Sequence, residues 1–294
     1  MSTRRAAWLQ ALAPWLLGVA CVAPAAAQGL PQAEPAAAAA EPAAPATEPL
    51  WEAGFGAGLL SLPLYRGSDR QRSWLLPVPY FVYRGDFLRA DRDGARAQLA
   101  RRGRVELDLG FGASPPTRDE PGGAREGMPA LPPTVEIGPR LNVRLAEGTH
   151  WRADLRVPLR AVVALQSSPR AVGWTLEPTV GVDADWGGLQ LGVLVGAVRG
   201  DRRLHEHLYG VTAAQARPGR PAYAARGGDA GWQLTLGASQ RRGRLWLGAF
   251  VRHDVVGGSI VDDSPLVKAR RGTAFGVAAS WVFARSAAQV PVSR

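Results

Sequence analysis

The sequence predicts an all-β fold, a single-domain transmembrane antiparallel β-barrel of about twelve strands. Three successive runs within residues 134–186 alternate apolar and polar residues. Side chains of a strand point to opposite faces in turn, so this period of two predicts strands. The runs are about twice as long as soluble strands, which average about 5 to 6 residues. One face of each run is ionic, and two runs begin with tryptophan. These features are typical of outer-membrane barrels.

The ionic face is expected to line the barrel lumen, because the apolar face contacts lipid. In the second run, Leu155, Val157 and Leu159 are predicted to face lipid. The predicted lumen-facing charge network comprises Glu106, Asp108, Glu136, Arg140, Arg144, Arg152, Asp154, Arg156, Arg160, Glu177, Asp183 and Asp185. Opposite charges on neighbouring strands are expected to neutralise one another there. The alternative is a lining that sets the selectivity of a narrow pore.

Composition argues against two other classes of protein. The chain has 294 residues, with Lys+Arg 35 against Asp+Glu 25 and a formal net charge of +10. The arginines are spread over strands and loops and do not cluster with exposed aromatic residues, so no nucleic-acid partner is predicted. No apolar window long enough for a membrane-spanning helix lies beyond the N-terminal region. Outer-membrane lipid is therefore the first expected partner.

Residues 1–27 are predicted to form a cleaved signal peptide. Arg4 and Arg5 provide the positive n-region, residues 6–22 the mostly apolar h-region, and residues 25–27 an A-x-A cleavage site. Export followed by barrel formation predicts a location in the outer membrane of a Gram-negative cell.

The segments that flank the barrel differ from it in composition. Residues 28–50, rich in alanine and proline, are predicted to form a disordered periplasmic leader. The barrel is expected over residues 51–283, and residues 284–294 are expected to form a C-terminal tail. The only cysteine, Cys21, lies in the signal peptide, so the mature protein is expected to lack disulfides and thiolate metal sites.

Twelve candidate strands follow the leader. They span residues 51–60, 74–84, 87–92, 95–101, 104–113, 134–146, 150–164, 172–186, 188–198, 231–241, 244–255 and 272–283. An even number, with short periplasmic turns and longer outer loops, is typical of bacterial barrels. The third and fourth strands are short for a membrane span, so ten strands is the alternative. Four prolines inside the predicted strands, Pro77, Pro79, Pro158 and Pro178, predict bulges or bends, because proline cannot donate to a sheet.

Three groups of loop residues carry a resemblance to a known family. They are Tyr65, Gly67, Ser68 and Asp69 in the first outer loop, Met128 and Pro129 before the central strand, and Asp262, Asp263, Ser264 and Pro265 before the last strand. In this order on a predicted barrel, they resemble the MipA/OmpV family of outer-membrane proteins, the MltA-interacting protein-like proteins. The resemblance covers most of residues 51–283.

The resemblance implies an integral outer-membrane protein that binds partners. One member is described as a scaffold for a membrane-bound lytic transglycosylase and a bifunctional peptidoglycan synthase, and others are described as adhesins or antigens. Biogenesis would require the barrel-insertion machinery. Phe283 is followed by residues 284–294, whereas barrel chains usually end at such an aromatic residue. An internal insertion signal is therefore expected.

Two groups of residues are candidates for chemistry. Asp201, His205, Glu206 and His207 contain an H-x-H pattern without a convincing third ligand, so no metal or other cofactor is predicted. His253 lies near the outer end of its strand. It is followed by Asp254, Ser259, Asp262, Asp263 and Ser264, which leaves a Ser-His-Asp arrangement open because such triads are recognised by geometry.

The sequence thus predicts a non-enzymatic outer-membrane barrel that acts as a scaffold or interaction protein in cell-envelope and peptidoglycan assembly. It contains no G-x-S-x-G nucleophile elbow and no nucleotide-binding loop. No catalytic residue is therefore predicted. A narrow pore for small solutes and a lipid-acting outer-membrane hydrolase are the alternatives.

Overall fold

The computed structural model describes residues 47–85, 88–91, 94–117 and 121–291. The predicted signal peptide and residues 28–46 of the predicted leader lie outside these ranges. The strands are β1 (Thr47–Pro49), β2 (Trp51–Pro63), β3 (Gln71–Arg84), β4 (Leu88–Asp91), β5 (Gly94–Arg102), β6 (Val105–Ser114), β7 (Thr134–Glu147), β8 (Trp151–Ala164), β9 (Arg170–Leu176), β10 (Thr179–Trp186), β11 (Leu189–Gly200), β12 (Gly228–Arg242), β13 (Leu245–Val255), β14 (Arg271–Arg285) and β15 (Gln289–Pro291). Helix α1 spans Arg202–Tyr209, and a 3-10 turn spans Ala213–Gln215.

Twelve wall strands close into a barrel. From β2 to β8 and from β11 to β14, each strand pairs antiparallel with the next one along the chain. Strands β9 and β10 both lie between β8 and β11, and together they form one wall strand that is interrupted at residues 177–178. Strand β14 pairs with β2 and closes the sheet. The predicted all-β barrel of twelve strands is confirmed.

The strand prolines differ in their effect on the sheet. Pro178 lies in the interruption between β9 and β10, as expected for a residue that breaks a ladder. The bulges expected at Pro77, Pro79 and Pro158 are wrong, because β3 pairs with β2 in one continuous register and the register of β7 with β8 does not shift at Pro158. Among the described residues, the other edge of β3 pairs with β4 only at Tyr83 and Arg84. Prolines facing such an edge remove no ladder bond, which explains the regular strand.

The barrel is apolar outside and polar inside. On the outer wall, the exposed fraction is 79% for Leu75 and 80% for Trp186, whereas it is 0% for Asp108 inside. Other exposed wall residues are Phe55, Leu59, Phe111, Ile137, Leu141, Leu159, Trp174, Val182, Val193, Trp232, Leu236, Val251, Val277, Trp281 and Phe283. A continuous exposed apolar surface of this extent is expected of a wall that contacts lipid, not water.

Loop lengths give the orientation of the barrel. At one end, residues 187–188 and 243–244 form tight turns. At the opposite end, residues 115–133, 201–227 and 256–270 form long connections. Bacterial barrels keep short turns in the periplasm and long loops outside. The chain therefore enters and leaves the barrel at its periplasmic end.

The longest outer loop contains helix α1, which alternation along the strands does not predict. The side chain of Asp201 accepts a hydrogen bond from the Leu204 backbone N–H at 2.9 Å and caps the helix. Leu204, His205 and Tyr209 are buried against the barrel. No helix within the described ranges has the length and apolar composition that a membrane span requires.

The described chain ends meet at the periplasmic end in a two-stranded sheet, here termed the periplasmic ribbon (β1 and β15). Glu48 lies opposite Val290 in antiparallel register. The Leu50 backbone N–H donates to Ala288 O at 2.9 Å, which continues the pairing of β2 with β14 beyond the barrel. Composition predicts a disordered leader and a free tail at residues 47–49 and 289–291. These residues are instead paired strands, because main-chain hydrogen bonds join the two segments.

Candidate functional site

A buried carboxylate stands at the centre of the ionic lumen wall. Asp108 on β6 accepts hydrogen bonds from Arg140 Nη2 at 3.0 Å and from Asn142 Nδ2 at 2.6 Å. Arg96 Nε lies 3.7 Å from the same carboxylate oxygen. Asp108 and Arg140 are opposite each other in the β6–β7 register. Arg96 and Asn142 are members of this group that the sequence analysis does not identify.

A second group of charges lies nearer the periplasmic end, on β7, β8 and β10. Arg144 Nε lies 3.4 Å from Asp154, and Arg152 Nε lies 3.3 Å from Asp154 and 3.5 Å from Asp183. Arg156 Nη2 lies 3.1 Å from Asp183. Two carboxylates are thus shared among three arginines across three strands, which lets each charge remain inside the barrel without facing lipid.

The remaining predicted lumen residues occupy four separate places. Arg160 Nη1 donates to Glu136 at 3.3 Å in the outer half of the wall. Glu177 lies at the β9–β10 interruption, and Glu106 is half-buried on β6. Asp185 caps the periplasmic turn by accepting the backbone N–H of residue 188 at 3.0 Å, so its bonds stabilise a turn.

The interior also contains one apolar cluster. Tyr80, Val82, Trp246 and Val282 form this buried cluster on β3, β13 and β14. The ring centroids of Tyr80 and Trp246 are 5.8 Å apart at an interplanar angle of 49°. Ion pairs and packed apolar side chains therefore share the interior of the barrel.

A third ionic group ties the periplasmic ribbon to the barrel. Glu52 is 3% exposed and bonds to Arg84, with Nη2 at 3.2 Å, and also to Arg241. Arg84 Nε lies 2.7 Å from Glu48 of β1, and Arg84 Nη1 donates to Pro49 O at 2.8 Å. The ribbon is therefore held by side chains of β2, β3 and β12, none of which the sequence analysis assigns to a site.

The outer loops pack into a cap, here defined as the described parts of residues 64–70, 115–133, 201–227 and 256–270. Two apolar clusters form its interior. They comprise Val198, Tyr209, Ala230, Val256 and Val261 in the first, and Met128, Val211 and Leu266 in the second. Arginine side chains bond between loops, as where Arg125 Nη1 donates to Leu208 O at 3.0 Å and Arg220 Nη1 to Glu126 O at 2.7 Å.

The family-motif residues meet in this cap. Tyr65 Oη donates to Leu266 O at 2.7 Å, and Ser264 Oγ donates to Tyr209 O at 2.8 Å. Gly67 has a φ of +89°, and its carbonyl accepts the Lys268 N–H at 2.8 Å. A Cβ atom at position 67 would lie 3.1 Å from the side chain of Val267 in the last outer loop. Because the positive φ also disfavours residues with a side chain, glycine is required.

The other motif residues also have identifiable surroundings. Met128 is buried, and the Pro129 carbonyl accepts from an arginine side chain at 3.2 Å. Ser68 is buried and its hydroxyl bonds within its own turn. Asp262 accepts the Gly258 N–H at 3.0 Å and the Arg270 side chain at 2.9 Å, and these bonds lower the pKa of Asp262. Asp69 and Asp263 are exposed, and Pro265 is half-buried. The motif residues thus connect the outer loops to one another.

Alkaline pH is expected to open the cap. Burial raises the pKa of Tyr65 and of Tyr209 to about 12, from 10.0. The folded cap therefore holds these phenol protons more tightly than the unfolded chain, so its stability is present below pH 10 and is lost as pH rises toward 12. Phenolate absorbance and protease cleavage of residues 256–270 should rise together over that interval. Tyr65→Phe and Tyr209→Phe should remove the phenolate absorbance that these two residues contribute near pH 12. If both phenols ionised near pH 10 while the cap stayed intact, their burial would not hold the phenol protons as expected.

The candidate metal ligands have structural roles. His205 Nδ1 lies 2.7 Å from Arg226 O, and Glu206 accepts the Ala225 N–H at 2.7 Å. Asp201 caps α1. Burial and nearby arginines lower the pKa of His207. Among the described residues, no group of three or more histidine, cysteine, aspartate or glutamate side chains is arranged to hold a metal ion.

The candidate hydrolase residues are not brought together. His253 Nδ1 lies 3.2 Å from Thr273 Oγ1 on the outward face of the wall. Asp254 points inward and pairs with Arg66 and with Arg252, whose Nε lies at 3.1 Å. Ser264 bonds to Tyr209 within the cap. His253 and Asp254 therefore lie on opposite faces of the wall, and Ser264 lies within the cap.

The comparisons with known proteins agree with this architecture. The family described as MltA-interacting protein MipA matches residues 55–283. The chain belongs to the MipA family. The matched region runs from β2 to β14 and includes the cap, so the family's loop motifs and its barrel are one unit. The chain is an outer-membrane barrel protein.

Two solved structures match this MipA-family chain at low similarity. OmpT, expressed in the outer membrane of Vibrio cholerae, has 10% identity and a TM-score of 0.30, with 83% of this chain and 99% of that chain covered. The toluene transporter TbuX of Ralstonia pickettii has 9% identity and a TM-score of 0.26, with 82% and 71% covered. No curated protein matches the sequence.

Proposed function

We propose that this MipA-family barrel is a non-enzymatic scaffold that holds cell-wall enzymes at the periplasmic face of the outer membrane. The first proposed partner is a lytic transglycosylase, because the family description names an MltA-interacting protein. A peptidoglycan synthase is the second, since cleavage and synthesis of the wall must be coordinated in space.

The periplasmic ribbon is the observation that carries this proposal. Residues 28–46 are joined to β1, and β1 is anchored through Arg84 and Glu52 to the barrel rim. Proline-rich sequences are recognised by binding partners in an extended backbone form. Tethering it to a rigid membrane protein would concentrate its partners at one place beneath the membrane.

The interior favours a scaffold over a narrow pore. The lumen charges of β6, β7, β8 and β10 bond to one another, and a cluster of aromatic and aliphatic side chains packs on β3, β13 and β14. The outer loops are cross-linked by hydrogen bonds into the cap. The separation of His253 from the candidate serine and aspartate supports the non-enzymatic part of the proposal.

Deletion of residues 28–46 is expected to weaken capture of the lytic transglycosylase while the barrel still inserts. This deletion keeps β1 and hence the ribbon. We expect at least about a tenfold loss of affinity, equivalent to about 1.4 kcal/mol. The measurement is a crosslinking pull-down from cell envelopes with mass spectrometry, and heat-modifiable gel mobility reports insertion.

A glycine- and serine-rich replacement of equal length is the matched control, because it keeps the tether but removes the recognition sequence. Full capture by both variants would remove the leader from the mechanism. Failure of the intact protein to capture any wall-cleaving or wall-synthesising enzyme would reject the scaffold itself.

A further inference from the structure

Polar side chains interrupt the apolar outer wall at one sector of its outer edge. On β13, β14 and β3, the outward positions are apolar up to Val251, Phe275 and Leu75. The next outward position toward the outer end is His253 on β13 and Thr273 on β14. On β3, the two outward positions beyond Leu75 are Ser73 and Gln71.

These polar side chains form a connected row. His253 Nδ1 lies 3.2 Å from Thr273 Oγ1, and Gln71 Nε2 reaches across β2 to donate to Thr273 O at 2.9 Å. Just below, Ser73 Oγ donates to Ser61 Oγ at 3.1 Å. Hydrogen-bonding groups on an outward wall are costly against acyl chains, so this row is expected to lie at the level of lipid headgroups.

Three exposed cations lie in the segments that adjoin the row. Lys268, Arg70 and Arg271 are exposed, and no carboxylate pairs with them among the described residues, although Arg70 Nη2 donates to Gly122 O at 3.4 Å. They are brought together because the Gly67 carbonyl accepts the backbone N–H groups of Lys268 and of Ala269, which joins the first and last outer loops. Arg270, by contrast, is paired with a carboxylate of its own loop.

We propose that this rim, defined by Arg70, Gln71, His253, Lys268, Arg271 and Thr273, binds the phosphorylated saccharide headgroup of an outer-leaflet glycolipid. Phosphate oxygens accept hydrogen bonds from the three cations. Such charge-assisted hydrogen bonds are stronger than hydrogen bonds between neutral groups. The hydroxyl, amide and imidazole groups bond to sugar hydroxyls. An acyl chain lies along Leu75, whose side chain is among the most exposed of the wall.

The chain offers a selective chemical probe of this site, because Lys268 is its only lysine. An amine-acylating reagent modifies Lys268 and the N-terminal amine alone, and the latter serves as internal reference. In purified mature protein in nonionic detergent, bisphosphorylated lipid A should slow acylation of Lys268 by about tenfold. Enzymatically dephosphorylated lipid A should give little protection, and inorganic phosphate at the same concentration should give none.

Charge variants provide the second arm. Arg70→Gln with Arg271→Gln should weaken retention of lipid A, measured by native mass spectrometry, by about tenfold. Arg170→Gln with Arg202→Gln removes the same charge from exposed positions over β9 and α1 and is the matched control. Leu75→Asn should weaken retention without changing charge. Heat-modifiable mobility confirms that each variant is folded.

Several results would overturn the proposal. Equal loss of lipid A from both pairs of charge variants would mean that the protein attracts anions in general. Unchanged retention by Arg70→Gln with Arg271→Gln would remove these arginines from the site. Protection of Lys268 by inorganic phosphate as strong as that by the lipid would also contradict the proposal. Protection of Lys268 only on formation of a crosslinked dimer would assign the rim to a second copy of this chain.

Discussion

Asp108→Ala is expected to lower the free energy of unfolding by about 3–5 kcal/mol, because it leaves buried cations without their shared carboxylate. Asp108 is 0% exposed and accepts from Arg140 and Asn142, with Arg96 nearby. Urea-dependent unfolding of the barrel in lipid vesicles, followed by gel mobility, measures the change.

The matched control removes the pair instead of one partner. Asp108→Leu combined with Arg140→Leu should recover much of the loss, because a buried ion pair can be replaced by apolar side chains at little cost. Asp185→Ala removes a carboxylate from the periplasmic turn and should cost far less. Equal destabilisation by Asp108→Ala and Asp185→Ala would show that the central group does not hold the wall together.

Val157→Arg is expected to destabilise the barrel by about 2–4 kcal/mol, because it places a charge on the lipid face near the middle of the membrane. Val157 lies opposite Leu141 in the β7–β8 register, and both share the outward face. The same vesicle unfolding assay measures the cost. Arg156→Leu, on the lumen face, should instead lose the 3.1 Å bond to Asp183 without any cost of lipid transfer.

A control on the same strand separates depth from shape. Ala153→Arg lies on the same outward face, about 13 Å nearer the periplasmic end at a rise of about 3.3 Å per residue. Its cost should fall to about 0–1 kcal/mol, as for charges near an interface. Equal costs at positions 153 and 157 would contradict the assigned membrane position of β8.

The barrel could be predicted from the sequence because lipid imposes a strict alternation on most strands. From Trp151 to Val157 of β8, odd positions are apolar and even positions polar, so each of these side chains is assigned to a face by its number alone. Pairs such as Asp108 with Arg140 follow once neighbouring strands carry opposite charges. The family resemblance identifies the motif residues of the cap. It does not indicate that the loops that carry them contact one another.

Other parts of the structure could not be predicted because the local pattern lacks the required signal. On β3, Leu76 and Val78 point inward while Leu75 points outward, so apolar residues on both faces leave the lumen wall unassigned. The α1 sequence is short and mostly polar, and the helix is fixed by its Asp201 cap and by burial of Tyr209. The periplasmic ribbon is three residues long on each side and pairs positions from opposite ends of the described chain.

The ribbon has a consequence for the order of assembly. Pairing of β2 with β14, and of β1 with β15, joins segments that are separated by most of the described sequence. Such contacts have the largest entropic cost of loop closure, so they form slowly. Until they form, β2 and β14 each present an open edge, and open edges are not tolerated in lipid. Closure is therefore a late, all-or-none event that requires the last strand, and the Arg84 and Glu52 contacts lock it from the periplasmic side.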